Sequence, residues 1–142
     1  MDLKISTGIK EYDILGKVKV YFNPTDPFFL ERLADAIDFC DVKSDERKKR
    51  ITGVTDGREV FKAAREFDAE VREAINNVFE TDVCTPAFGN ISLLAQSEGL
   101  PLWANLLLAA WDEADDTFTA EKAATNPRIA KYTEKYKKYD KN

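Results

Sequence analysis

Three groups of side chains in this sequence have the types and spacing to do chemistry. Glu66 and Glu70 stand one helical turn apart, the interval at which carboxylates on one helix can share a metal ion. Asp112-Glu113-Ala114-Asp115-Asp116 places four carboxylates in five residues, which invites calcium. Cys40 and Cys84 supply two thiols. Each group also has a plainer reading. The Glu66–Glu70 pair has no histidine and no second carboxylate helix to complete a site, so it reads as a solvated face. The acidic run lacks the alternating ligands and sixth-position glycine of an EF-hand loop. It reads as acids preparing the N-terminus of a following helix. The cysteines form no CxxC and read as two reduced, buried thiols.

The chain has no histidine, which removes the commonest general base and a cysteine–histidine nucleophile. GxSxG, P-loop and GxGxxG motifs are missing too. Only Glu98 and Asp112, at the ends of an apolar stretch, have a context that raises a carboxylate pKa. No catalytic, cofactor-binding or metal-ligating residue is assigned, and no enzymatic activity or cofactor is expected.

Charge points to surfaces instead. The net charge is −5, which argues against general nucleic-acid binding. Arg47-Lys48-Lys49-Arg50 is basic, but Asp45 and Glu46 flank it and no aromatic is interleaved, so a solvated helix end or loop is expected. From Arg128 to Asn142 six Lys/Arg face two Asp/Glu, while residues 1–127 hold 15 bases against 24 acids. Within that basic tail Ile129, Tyr132, Tyr136 and Tyr139 recur at steps of three, four and three, a heptad-like seam with Lys131 and Lys135 beside it. Tyrosine combines contact area with a polar tip, as interfaces favour. These six residues are the candidate partner-binding set; the alternative is a terminal helix lying on its own domain or fraying.

The elements that must position these groups follow from periodicity. Leu100–Trp111 is apolar almost all round, with only Asn105 interrupting it. A helix with no polar face belongs in the middle of a packed domain, and Pro101 suits its first turn. Residues 2–22 alternate with a two-residue period, predicting an antiparallel hairpin or three-stranded meander. Asp26-Pro27 starts a helix carrying Phe29, Leu30, Leu33, Ile37 and Cys40 inward. Asp56 to Glu59 has the form of a capping box. It opens a helix from about Gly57 to Phe79 whose stripe of Val60, Phe61, Ala64, Phe67, Val71, Ile75, Val78 and Phe79 should meet Leu100–Trp111. Arg58, Lys62, Arg65, Glu66, Glu70, Arg72 and Glu73 should cover its other face. Phe88 should plug the turn-rich link between these helices, and Ile91, Leu93 and Leu94 suggest a short helical turn. Thr117–Thr125 reads as a separate helical segment, and Asn126 as the cap of a last helix beginning at Pro127. The fold class is therefore α+β, mostly α: an N-terminal hairpin or meander packed on four to five helices. Residues 1–126 are read as one globular domain and 127–142 as a basic, tyrosine-rich helix or tail. With no signal-peptide pattern and no transmembrane run, a cytoplasmic location is expected.

One stretch carries a likeness to a known family. A long amphipathic helix ends in Ile75-Asn76-Asn77-Val78-Phe79, a turn-rich link holds Ala87-Phe88-Gly89-Asn90, and a buried helix starts at Leu100-Pro101. This order resembles the small tail assembly chaperones of long-tailed bacteriophages and prophages, over about a third of the chain. The resemblance implies a non-enzymatic protein of the bacterial host cytoplasm. Such a protein coats the helical tape-measure protein until tail-tube subunits replace it, so tape-measure and tail-tube proteins are the implied partners. A homo-oligomer is a further option; nucleic acid and membrane are not expected partners. The competing class is a helical adaptor, regulator or inhibitor that acts by binding other proteins.

Overall fold

The computed structural model describes residues 1–124 and 127–139, without the side chains of Tyr132 and of residues 136–139. The chain opens with an antiparallel hairpin of β1 (Lys10–Ile14) and β2 (Val18–Phe22), in the register Lys10↔Phe22 to Ile14↔Val18. Leu15 and Gly16 both have positive φ, and the Lys17 amide donates to the Ile14 carbonyl at 3.0 Å. This is the primed turn that matches strand twist. The sequence places strand from residue 2 and allows a third one, but among the described residues Met1–Ile9 joins no strand ladder. The reason lies in β2: beyond Phe22 the chain runs into Asn23-Pro24 and turns away, leaving residues before Lys10 no ladder to join.

Helix α1 (Pro27–Ile51) starts where Asp26 accepts from the Phe28 amide, with Pro27 in the first turn. It continues through the polar Asp41–Arg50 stretch to a cap at Thr52. Helix α2 (Gly57–Phe79) begins at Asp56, whose carboxylate accepts from the Arg58 amide, and stops at Glu80 in the left-handed conformation. The expected stripe needs two corrections: Ala63 is in the core, and Phe61 points out to solvent. The link holds a short helix α3 (Cys84–Phe88) and a two-residue ladder, β3 (Gln96–Ser97) with β4 (Leu100–Pro101). Leu93 is fully buried there, whereas Ile91 is exposed.

Helix α4 (Leu102–Ala123) runs unbroken through the acidic cluster, so the carboxylates at 112–116 lie mid-helix and no separate helix starts at Thr117. Its apolar N-terminal half is not enclosed on all sides. Trp103, Ala104, Leu107, Ala110 and Ala114 form one buried row, while Leu108 and Ala109 face outward. The small residues let α1 approach closely, and a solitary exposed leucine costs little. Helix α1 packs along α2 and against α4, which also touch each other; the α2 stripe meets α1 far more than α4. Helix α5 (Arg128–Tyr139) follows Pro127; the expected cap Asn126 lies outside the described residues. Among the described residues, no helix is long and apolar enough to cross a membrane.

Candidate functional site

The groups with chemical potential are absorbed into structure. Arg50 pairs with Glu66, and Lys43 bridges Glu46 at 3.3 Å and Glu70 at 3.1 Å. Arg50, from the basic run, thus neutralises Glu66 and holds its carboxyl below the ordinary range, while Lys43, outside that run, neutralises Glu70. In the acidic run, Glu113 accepts a 2.9 Å hydrogen bond from the Tyr12 hydroxyl, tying hairpin to α4. Burial and that bond push the Tyr12 phenol up to about 12. Cys40 and Cys84 are both buried and free, and burial pushes each thiol up to about 12. At that pKa almost no nucleophilic thiolate exists near neutral pH. Among the described residues, no three His, Cys, Asp or Glu side chains are grouped to hold a metal ion.

A polar row on α2 organises the link. Asp68 accepts from the Leu93 amide at 2.7 Å and from Arg72 at 2.7 Å. Arg72 in turn donates to the Ile91 carbonyl at 2.7 Å. One turn on, the Asn76 side-chain oxygen accepts from the Val83 and Cys84 amides at 2.9 and 3.1 Å. Asp68, Arg72 and Asn76 recur every four residues, so one helix edge satisfies backbone groups that a loop would otherwise leave unpaired. Arg72, expected on the solvated face, belongs to this row. Phe88 packs against the core as expected.

The most conspicuous surface is at the hairpin end. Behind it, rings stack in series: Tyr12 on Phe22 at 4.4 Å and Phe22 on Phe29 at 4.1 Å, with Phe79 tilted against both phenylalanines. In front of it, Ile9, Tyr21 and Phe28 are 58%, 62% and 74% exposed. They rim an open cleft of about 590 Å³ that Thr7, Arg32 and Glu80 also line. The cleft is held in shape. Asn23 donates to the Thr7 carbonyl at 2.8 Å, and Gly8 sits at φ +70 so close that a Cβ there would lie 2.5 Å from the Asn23 amide nitrogen. The Arg32–Glu80 pair, 3.5 Å apart, joins α1 to the end of α2 at its edge. Leading away from it, Leu3 and Ile5 are almost wholly exposed.

The sequence-derived partner set lies elsewhere. Ile129 is 81% exposed on α5, and Lys131 and Lys135 are exposed beside it. Arg128 and Lys135 each interact within the chain. The side chains of Tyr132, Tyr136 and Tyr139 lie outside the described residues. Sequence reading missed the Ile9–Tyr21–Phe28 surface because it treated the hairpin pattern as a matter of folding. The available signal was Phe28, which stands a 100° step off the row of Phe29, Leu33, Ala36 and Cys40 on the same helix. No family model matches the chain, and no curated protein or solved structure matches it either.

Proposed function

We propose that this protein is a non-enzymatic binding protein of the tail assembly chaperone kind, acting in the cytoplasm of a bacterial host. On this reading it covers apolar helices of a tape-measure-like partner until tail-tube subunits replace it. The observation that carries the reading is the exposure of Ile9, Tyr21 and Phe28 around one cleft in front of the stacked rings, with Leu3 and Ile5 exposed in the preceding segment. Exposed aromatic and aliphatic anchors set among polar groups suit a protein-binding site. A temporary cover must also let go, and a small surface with an open cleft suits modest affinity.

The test is affinity purification of the tagged chain from its native host, followed by mass spectrometry, in parallel with Phe28→Ser. The expected result is co-purification of a long helical tail component with the parent chain and its loss with the variant. Recovery of the same protein by both would remove the surface from the account; recovery of no tail component would remove the chaperone reading.

A further inference from the structure

A second surface on the body matches the chain's own C-terminal helix. Helices α1 and α2 leave an open groove of about 610 Å³ between them, floored by Ala36, Phe39, Ala74 and Val78. Its rim carries Asp35 from α1 and Glu70 and Glu73 from α2, beside Arg32 and Lys43. Lys43 is spent on Glu46 and Glu70, and Arg32 on Glu80. Asp35 and Glu73 are exposed on the rim and make no ion pair among the described residues.

Helix α5 has the complementary chemistry. It is rich in Lys, Ile129 is open to solvent, and its tyrosines recur at one-face spacing in the sequence. Lengths agree as well. The 12 residues of α5 and the 12 from Arg32 to Lys43 along α1 each span about 18 Å at 1.5 Å per residue.

We propose that α5 of one copy docks in the α1–α2 groove of a second copy. Ile129 faces Phe39 and Ala74 on the groove floor, and Lys131 lies toward Asp35 and Glu73. Charge supplies attraction and register, and the apolar floor supplies contact area. Because rim charges are solvated, salt weakens the contact over a Debye length of about 10 Å at 0.1 M. This inference concerns the purified chain alone and is independent of capture at Phe28, so either can fail without the other.

Sedimentation velocity of the full chain over a concentration series, at low and high salt, tests it. The expected result is association that grows with concentration and recedes with salt. Asp35→Lys combined with Glu73→Lys should weaken it by about tenfold or more, because like charges then meet across the contact. Lys131→Glu combined with Lys138→Glu should do the same. Mixing the two variants should restore association, since each then offers the other a matched tail and groove. A peptide of residues 127–142 added to the parent chain should lower its association by filling the groove, a readout that needs no substituted protein. A chain that sediments as a monomer throughout overturns the proposal. So do variants that associate like the parent, a mixture that fails to recover, or a peptide without effect.

Discussion

The inner and outer faces of the hairpin end use the same residue types to opposite purpose. Phe29 is 1% exposed and stacks on Phe22, while its neighbour Phe28 is 74% exposed. Tyr12 lies inside and donates to Glu113 of α4; Tyr21 lies outside and donates to Glu11 on its own hairpin. Strand alternation and the 100° step of a helix divide each pair between the two faces. One face becomes the joint that fixes hairpin to helices, and the other is left open to solvent. Residue type alone does not say which is which; the partner across the chain does.

Substitutions can break this contrast. The largest expected effect is on the inside. Phe29→Ala should destabilise the chain by about 3–5 kcal/mol, because it empties a fully packed position in the ring stack. Urea unfolding monitored by circular dichroism measures this, and a loss below about 1 kcal/mol would mean that the stack is not what joins the hairpin to α1. Next comes the polar row on α2. Asn76→Ala strands two backbone amides and should cost about 1–3 kcal/mol. Hydrogen exchange should accelerate at Val83 and Cys84 before it does on α1; uniform acceleration would deny Asn76 its local role.

The two tyrosines sharpen the comparison at high pH. Tyr12, Cys40 and Cys84 keep their protons to about pH 12 in the folded chain. Unfolded, the same groups ionise near about 10 and 8.5. The unfolded state therefore binds fewer protons through this window. Stability is complete below about pH 8.5 and declines as pH rises toward 12. Tyr12→Phe should make the decline shallower. Tyr21→Phe should alter it less: the bond to Glu11 raises that phenol too, but in full solvent, where such a contact is screened. Equal slopes for both variants would contradict the assignment of inside and outside.

Much of the fold was legible because it rests on local rules. Asp26-Pro27 and Asp56-Gly57 marked two helix starts, and the Gly57–Phe79 periodicity gave α2 its full extent. The misreadings arose where long-range contact decides. Leu100–Trp111 suggested an all-round burial, yet its neighbours, α1 foremost with α2 and the β3–β4 ladder, leave Leu108 and Ala109 outside. The carboxylates of 112–116 looked like a boundary, yet the helix tolerates them mid-run, because Asp112, Asp115 and Asp116 face solvent while Ala114 and Thr117 continue the buried row. Leu3 and Ile5 had strand alternation but no strand to pair with. As for the site, composition and motifs pointed to adhesion rather than bond-making. They placed a candidate partner set on the C-terminal helix, from Ile129 to Tyr139, and passed over Phe28, whose exposure beside buried Phe29 depends on what α1 packs against.

The most direct test of the central claim pairs two readings on one variant, Phe28→Ser: melting temperature and co-purification of the host partner. The account expects a stability change within about 0.5 kcal/mol, as for a surface position, together with loss of the partner. A partner retained at parental levels, or a melting loss comparable to that of Phe29→Ala, would contradict it.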